Sequence, residues 1–414
     1  MLFLSMDVGT SAVKASIVDS KLQELATSTV GYPYLMLPGS KVEISPAALW
    51  DGIGRAARQL DEDLRSRVEA VVYDAFSPSP VFLTAGGELA YPNVITHMDR
   101  RSAAQSAYVS EVIGSEAFQR ITGMAPFIGG SGLMSLLWLR QNEPGCLRRT
   151  AQVTHLAGYL HRRLTGVSVT DFVNASMLGT YETTTQRGWS RRLIDALELK
   201  HEWFGEIQLP GELSGQLTDP AAAKLGLRAG IAVTVGTNDM AAAQVGAGNT
   251  APGSIMNTAG SSDMVSILTD VPKIDPKYYL RNSALPGIWQ IYATTAGGFA
   301  LDWFHRQFAR DLGDEEFFGS FLEAAAQQPE GESLVEFTPY LTGDRQSLLP
   351  KSASCTGLTL AATREQVLAA MLKAMAGVLA ETIDLAAASV ELRREIKISG
   401  GLATPALIGF KARC

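Results

Sequence analysis

The stretch "MDVGTSAVKASIVD", residues 6 to 19, sets an acid, a glycine, two hydroxyl residues and a lysine close together along the chain. A carboxylate at a strand end, Asp7, suits Mg²⁺, a hard cation that takes oxygen ligands and usually rests on one or two carboxylates. Gly9 lets the backbone approach a ligand without side-chain crowding. Amides and hydroxyls at Thr10 and Ser11 can donate to phosphate oxygens, and Lys14 adds positive charge. The chemistry composed in this way is the holding of a metal-bound phosphate. Asp, Gly, Thr and Ser also build ordinary hairpin turns, and the pattern alone does not separate the two readings.

Such a turn needs strands on either side. "LFLSM" and "KASIVD" read as two strands joined at Gly9–Ser11, with "LQELATSTV" continuing the sheet. "SPAALWDGIGRAARQLDEDL" has helical spacing after an N-cap at Ser45 and Pro46 at the first helical position. "VEAVVYDAF" gives another strand and "RRSAAQSAYVSEVIGSEAFQRI" another helix, an alternation that argues for an α/β architecture. A second cycle begins near residue 231. "IAVTVGTNDMAAAQVGAG" reads as strand, glycine turn and helix, and "GSIMNTAGSSDMVSIL" as two strands around the turn Gly260–Ser262, which echoes Gly9–Ser11. Late in the chain a long amphipathic helix opens with Thr363 and Gln366 at capping-box spacing, and "EIKISGG" follows as a strand. A chain of 414 residues is too long for one core. We expect two domains, 1–235 and 236–414.

Composition removes several function classes. The net charge of −7 and the lack of a Lys/Arg run give nucleic acid no basic face. Cys146, Cys355 and Cys414 are odd in number and far apart, which fits neither a disulfide framework nor a CxxC metal site. The opening residues lack a basic region and are interrupted by Asp7, so a signal peptide is not expected. The most apolar helical region carries Lys373, Glu381 and Asp384, so a membrane span is not expected either. The expected compartment is the cytoplasm. No G-x-x-x-x-G-K-[ST], G-x-G-x-x-G after a strand, or G-x-S-x-G occurs.

"DVGTSAVKA" resembles the first phosphate motif of the FGGY carbohydrate kinases, in the actin-like and sugar-kinase ATPase superfamily. Further pieces follow in the family's order over nearly the whole chain. "DRR" at Asp99 to Arg101 resembles the D-x-R motif, "TGMAPFIGGSGLMSLLWLRQNEP" the TGN…KLLWL stretch, and "RLTGVSVTDFVNAS" the LTG…D…AS stretch. "VGTNDMAAAQVGAG" resembles the G-x-x-D motif, "GSS" the second phosphate turn, and "TTAGGFALDWF" the glycine pair before W-F. "FTPYLTGDRQ" resembles P-Y-L-x-G-E-R, and "ISGG" the adenosine-side glycines. The resemblance implies two ribonuclease H-like (actin-like ATPase) domains with an interdomain cleft. It also implies transfer of the γ-phosphoryl group of ATP to a sugar or polyol hydroxyl, with a ketopentose such as xylulose as the expected acceptor.

The same resemblance implies the roles of particular residues. Asp239 matches the family's base, since a carboxylate within hydrogen-bond reach can take the hydroxyl proton; the alternative is a helix N-cap. Asp7 would hold Mg²⁺. Gly9, Thr10, Ser11, Lys14, Gly260, Ser261 and Ser262 would cradle phosphate oxygens. Gly297, Gly298, Gly400 and Gly401 would line the adenosine pocket, or simply turn the chain. Asp99 and Arg101 would bind sugar hydroxyls, with a plain salt bridge as the alternative. Trp138 and Trp303 match family tryptophans but fit core packing better.

Three departures matter. His97 stands where the family usually has Trp, and is expected either to bond sugar or to sit on a loop. "FSPSP", Phe76 to Pro80, replaces a Gln-containing stretch near the sugar, which reshapes that subsite around Ser77. Only 13 residues follow Gly401, so the second domain is expected to be shortened at its end. The last two departures motivate the alternative of a non-catalytic sugar or nucleotide sensor; an actin-like assembly protein is a third reading. The expected partners are ATP, Mg²⁺, a small sugar or polyol and a second copy of the chain in a homodimer, with neither nucleic acid nor membrane.

Overall fold

The computed structural model describes residues 1–127, 129, 131–329, 331, 333–341, 343 and 351–414. The "DRQ" end of "FTPYLTGDRQ" lies outside the described residues. The chain forms two units: Met1–Gly246 with Arg281–Gly287, and Ala247–Leu280 with Ile288–Cys414. This division falls later than the expected boundary near residue 235 and keeps the helix that starts at Asp239 in the first unit.

The first unit is built on a seven-stranded sheet. Its main path runs Leu213–Gln216, Ala232–Thr234, Val68–Ala75, Leu2–Val8, Ala12–Asp19 and Glu24–Gly31, and Thr237–Asn238 also pairs with Val68–Ala75. The opening three strands are antiparallel to one another, whereas Leu2–Val8 pairs parallel to Val68–Ala75. In the opening strand Leu4, Met6 and Val8 are buried on one face, and Asp7 points to the other. Helix Pro46–Gln59 packs against these strands, and its Ser45 cap accepts from the Ala48 amide. The apolar faces meet in a core that includes Leu4, Val13, Ile17, Leu49, Ile53 and Val71.

The second unit repeats this plan. Strands Ile255–Ala259, Asp263–Thr269 and Trp289–Thr295 form an antiparallel run, and Ile396–Ser399 pairs parallel to Ile255–Ala259. A glycine–hydroxyl turn joins the first two strands in both units, and a later strand lies parallel to the first. That repeated topology is the actin-like ATPase architecture. Helix Arg364–Ala387 opens with the expected capping box: Gln366 N donates to Thr363 Oγ1 and Thr363 N donates to Gln366 Oε1. This helix is long and apolar enough to cross a membrane. Its apolar face is occupied within the unit: Leu368, Met371 and Leu372 pack with Leu301, Phe304 and Phe317.

Candidate active site

Strand register assembles the acidic cluster of the first unit. In the parallel pair, Asp7 stands opposite Asp74, and Asp74 in turn stands opposite Thr237 on its other side. Two residues on, Asp239 opens the helix Asp239–Gly246. Three carboxylates from three neighbouring chain segments therefore gather at the carboxyl ends of central strands of a single sheet, forming an acid edge there. Sequence reading singled out Asp7 and Asp239 but passed over Asp74 inside "VVYDAF". The signal available was one acid in an otherwise apolar strand.

Asp239 is held by its neighbours. Its Oδ1 accepts from the Met240 amide and from Asn238 Nδ2, both at 2.7 Å. Asn238 Oδ1 takes the bond from the Ala241 amide, so Asn238 does the capping of this helix turn. Thr237 Oγ1 donates to buried Asp171, which itself caps the helix Phe172–Met177, and this contact pins the strand end ahead of the acid. Burial pushes Asp239 up to about 6. The Met240 amide and the Arg281 guanidinium pull it down, and the Asp7 charge pushes it up.

The carboxyls of Asp7 and Asp74 lie within hydrogen-bonding reach of each other. Burial, followed by the charges of Asp7 and Asp239, holds Asp74 well above the usual carboxylate range. Asp7 is reached by solvent but stands close enough to protein to be raised as well, against the opposing pull of Asp74 and Lys14. Asp74 Oδ1 is buried with no hydrogen-bond partner among the described residues. Crowded carboxylates with an unsatisfied oxygen are an arrangement that a divalent cation would relieve. Among the described residues no three His, Cys, Asp or Glu side chains form a metal cage. A cation that rests on one or two carboxylates and takes its other ligands from water and phosphates needs none.

The turn Gly9–Ser11 leads directly from this acid edge. Gly9 N donates to Ala12 O, the Ser11 carbonyl accepts from Tyr32 N, and the Gly9 carbonyl accepts from the Tyr32 hydroxyl. Thr10 hydrogen-bonds with Tyr34, whose hydroxyl burial pushes up to about 12. Lys14 stands opposite Asp7 in the antiparallel pair, and its Nζ meets Glu24 at 3.0 Å in an exposed ion pair.

The substrate-side residues divide into two groups. Ser77 Oγ accepts from Asn238 Nδ2 at 2.9 Å, which places it one residue from the candidate base. His97 lies edge-on to Phe76, with ring centroids 6.2 Å apart, so the "FSPSP" loop and His97 are neighbours. Asp99 and Arg101, by contrast, are not placed to bind sugar hydroxyls. Their side chains are 1% exposed, and Arg101 Nη2 bonds both Asp99 Oδ2 and Glu43 Oε1 at 2.6 Å. Asp99 also accepts from Val42 N, and Arg101 Nη1 donates to the Tyr91 hydroxyl. The pair is an internal lock whose charges are satisfied by protein, contrary to the expectation of a sugar contact. Trp138 stacks on Arg101 within the core, as expected for a packing residue.

In the second unit, glycines crowd the turn Gly260–Ser262. Gly298 N donates to Gly260 O and Phe299 N to Ser261 O, so the helix Gly297–Phe308 begins against the turn. A Cβ at Gly297, whose φ is +50°, would lie 2.5 Å from Asp263 N and Ser262 C. At Gly400, with φ +107°, a Cβ would lie 2.3 Å from Ala259 O, the carbonyl just before the turn. Gly297, Gly298 and Gly400 thus pack backbone against the turn. Gly401 is exposed with open space around it.

Residues 2–246 match the N-terminal domain of the FGGY family of carbohydrate kinases. The chain is 26% identical over 410 residues to a xylulose kinase of Bacillus subtilis, covering 96% of this chain and 80% of that protein. It is 29% identical over 355 residues to a xylulose kinase of Streptomyces rubiginosus, covering 85% of this chain and 69% of that protein. In fold it is similar to the crystal structure of ligand-bound xylulose kinase from Lactobacillus acidophilus, with a TM-score of 0.88 at 22% identity, over 99% of this chain and 84% of that one.

Proposed function

This chain belongs to the FGGY family of carbohydrate kinases and is an ATP-dependent sugar kinase, and from that premise we propose that it phosphorylates a ketopentose of the xylulose type with Asp239 as the base. The observation that carries the role of Asp239 is its position at the acid edge, held by Met240 and Asn238 and raised to about 6. A base poised near the working pH accepts a proton readily while remaining mostly ionised.

In the reaction the sugar hydroxyl oxygen bonds to the γ-phosphorus of ATP as the bond to the β–γ bridging oxygen breaks. The hydroxyl proton passes to Asp239, and ADP leaves with the electron pair. Phosphoryl transfer asks the protein for positioning and charge neutralisation more than covalent help. The Gly9–Ser11 turn offers amides and hydroxyls to phosphate oxygens; within the second unit, the Gly260–Ser262 turn carries groups of the same kind. Lys14, opposite Asp7, exchanges its exposed Glu24 partner for phosphate at little cost. Asp7, with Asp74 beside it, would hold Mg²⁺, which when bound neutralises phosphate charge. Ser77 and His97 flank the acceptor hydroxyls, and the prolines around Ser77 keep that edge stiff.

Support for a ketopentose comes from the xylulose kinases that the chain resembles over most of its length. The test is a coupled ADP-release assay over ketopentoses, aldoses, polyols and sugar acids. The highest kcat/KM is expected for a ketopentose; a polyol or sugar acid ahead of every ketopentose would refute the acceptor assignment.

A further inference from the structure

The second phosphate turn is followed at once by an acid, "GSSD", and a carboxylate there works against any anion resting on the turn. Asp263 is almost fully buried, with 5% of its side chain exposed. The strand supplies one hydrogen bond, from Asn257 Nδ2 to Asp263 Oδ1 at 2.7 Å. The charge is met from elsewhere. Helix Pro405–Lys411, begun by the Thr404 side chain and Pro405, brings Lys411 Nζ to 2.6 Å from Asp263 Oδ2 and 2.8 Å from Asn257 Oδ1. Leu301, Leu372, Leu407 and Phe410 line the space beside the pair, so little water screens it. The same helix is reached through Gly400 and Leu402, which pack on Ala259 at the base of the turn.

We infer that Lys411 is a positioning residue for nucleotide binding: it neutralises Asp263 so that the Gly260–Ser262 turn can take a phosphate anion. The inference rests on the reading of that turn as a phosphate site. Asp263 and Asn257 tie together the two strands that flank the turn, and Lys411 removes the electrostatic penalty that this acid would otherwise impose. A unit charge close to a phosphate in a poorly screened setting changes affinity by about tenfold or more.

The test is calorimetric titration of MgADP into the full chain and its variants, with xylulose titrated in parallel. Lys411→Met is expected to weaken MgADP by about tenfold or more while xylulose affinity stays unchanged, which a general loss of structure would not spare. Adding Asp263→Asn to Lys411→Met is expected to restore MgADP affinity to within about threefold of the parent, because the uncompensated charge is gone. Asp263→Asn alone keeps the Oδ1 bond from Asn257 and is expected to bind MgADP at least as tightly as the parent. That variant carries the test if Lys411→Met fails to fold. Parent-like affinity in Lys411→Met, no recovery in the double variant, or weaker binding in Asp263→Asn would each overturn the inference. Ser261→Asp tests the underlying reading, since it places a carboxylate on the turn itself. If Ser261→Asp leaves MgADP affinity unchanged, the turn is not a phosphate site. If Ser261→Asp weakens binding while Lys411→Met does not, the turn stands and the role of Lys411 falls.

Discussion

Replacing Asp239 by Asn should make the protein less active and more stable at the same time. Both hydrogen bonds to this side chain, from Met240 N and Asn238 Nδ2, end on Oδ1, an oxygen that Asn retains. The substitution therefore removes the charge and the proton-accepting capacity while leaving the local geometry in place. Burial raises the folded carboxyl from 3.8 to about 6. Because the shift is upward, the ionised form costs stability, fully so above the folded value, and the cost fades as pH falls towards the unfolded value. A shift of roughly two units corresponds to about 3 kcal/mol, an upper figure given the nearby Asp7 charge. Urea denaturation at pH 8 should show Asp239→Asn more stable by about 2 kcal/mol, with the advantage about halved near pH 5. In the coupled ADP assay, turnover should fall by about 10²- to 10⁴-fold, the usual worth of a general base. The parent's kcat/KM should itself decline as pH drops through about 6. A variant that turns over like the parent refutes the base; one that is no more stable at pH 8 refutes the burial argument.

Two further outcomes follow from packing. Gly400→Ala should destabilise by more than about 1 kcal/mol in urea denaturation, since it needs both a positive φ and space that Ala259 O occupies, whereas Gly401→Ala should stay within about 0.5 kcal/mol. Equal effects at the two positions would contradict the packing described. Arg101→Met should cost about 3–5 kcal/mol by leaving Asp99 and Glu43 buried without their partner; retained stability with a raised sugar KM would return the pair to the substrate site.

Local signals made much of this architecture legible. Glycine and hydroxyl residues between short apolar runs mark both strand-joining turns, and Ser45 and Thr363 mark helix starts, because turns and caps depend on residues close in sequence. What escaped was set by register. Asp74 meets Asp7 only because two strands separated by some sixty residues align in parallel, and nothing in "VVYDAF" alone reveals the neighbour. Asp99 and Arg101 fit a sugar-binding motif or a plain salt bridge equally by spacing alone, because Glu43, which takes up the guanidinium, comes from a distant segment. Lys411 and its partner Asp263 lie far apart in the chain, so no local pattern marks the pair.

The acid edge has one more consequence. Adjacent strands in a sheet are spaced at about 4.8 Å by their hydrogen bonds, so the interval between the Asp7 and Asp74 backbones is written into the scaffold and does not depend on side-chain packing elsewhere. The groups proposed to meet the sugar, Ser77 and His97, lie instead in connecting segments. On the proposed assignment, acceptor preference can therefore drift, or be engineered, by exchanging those segments while the spacing of the two acids stays unaltered.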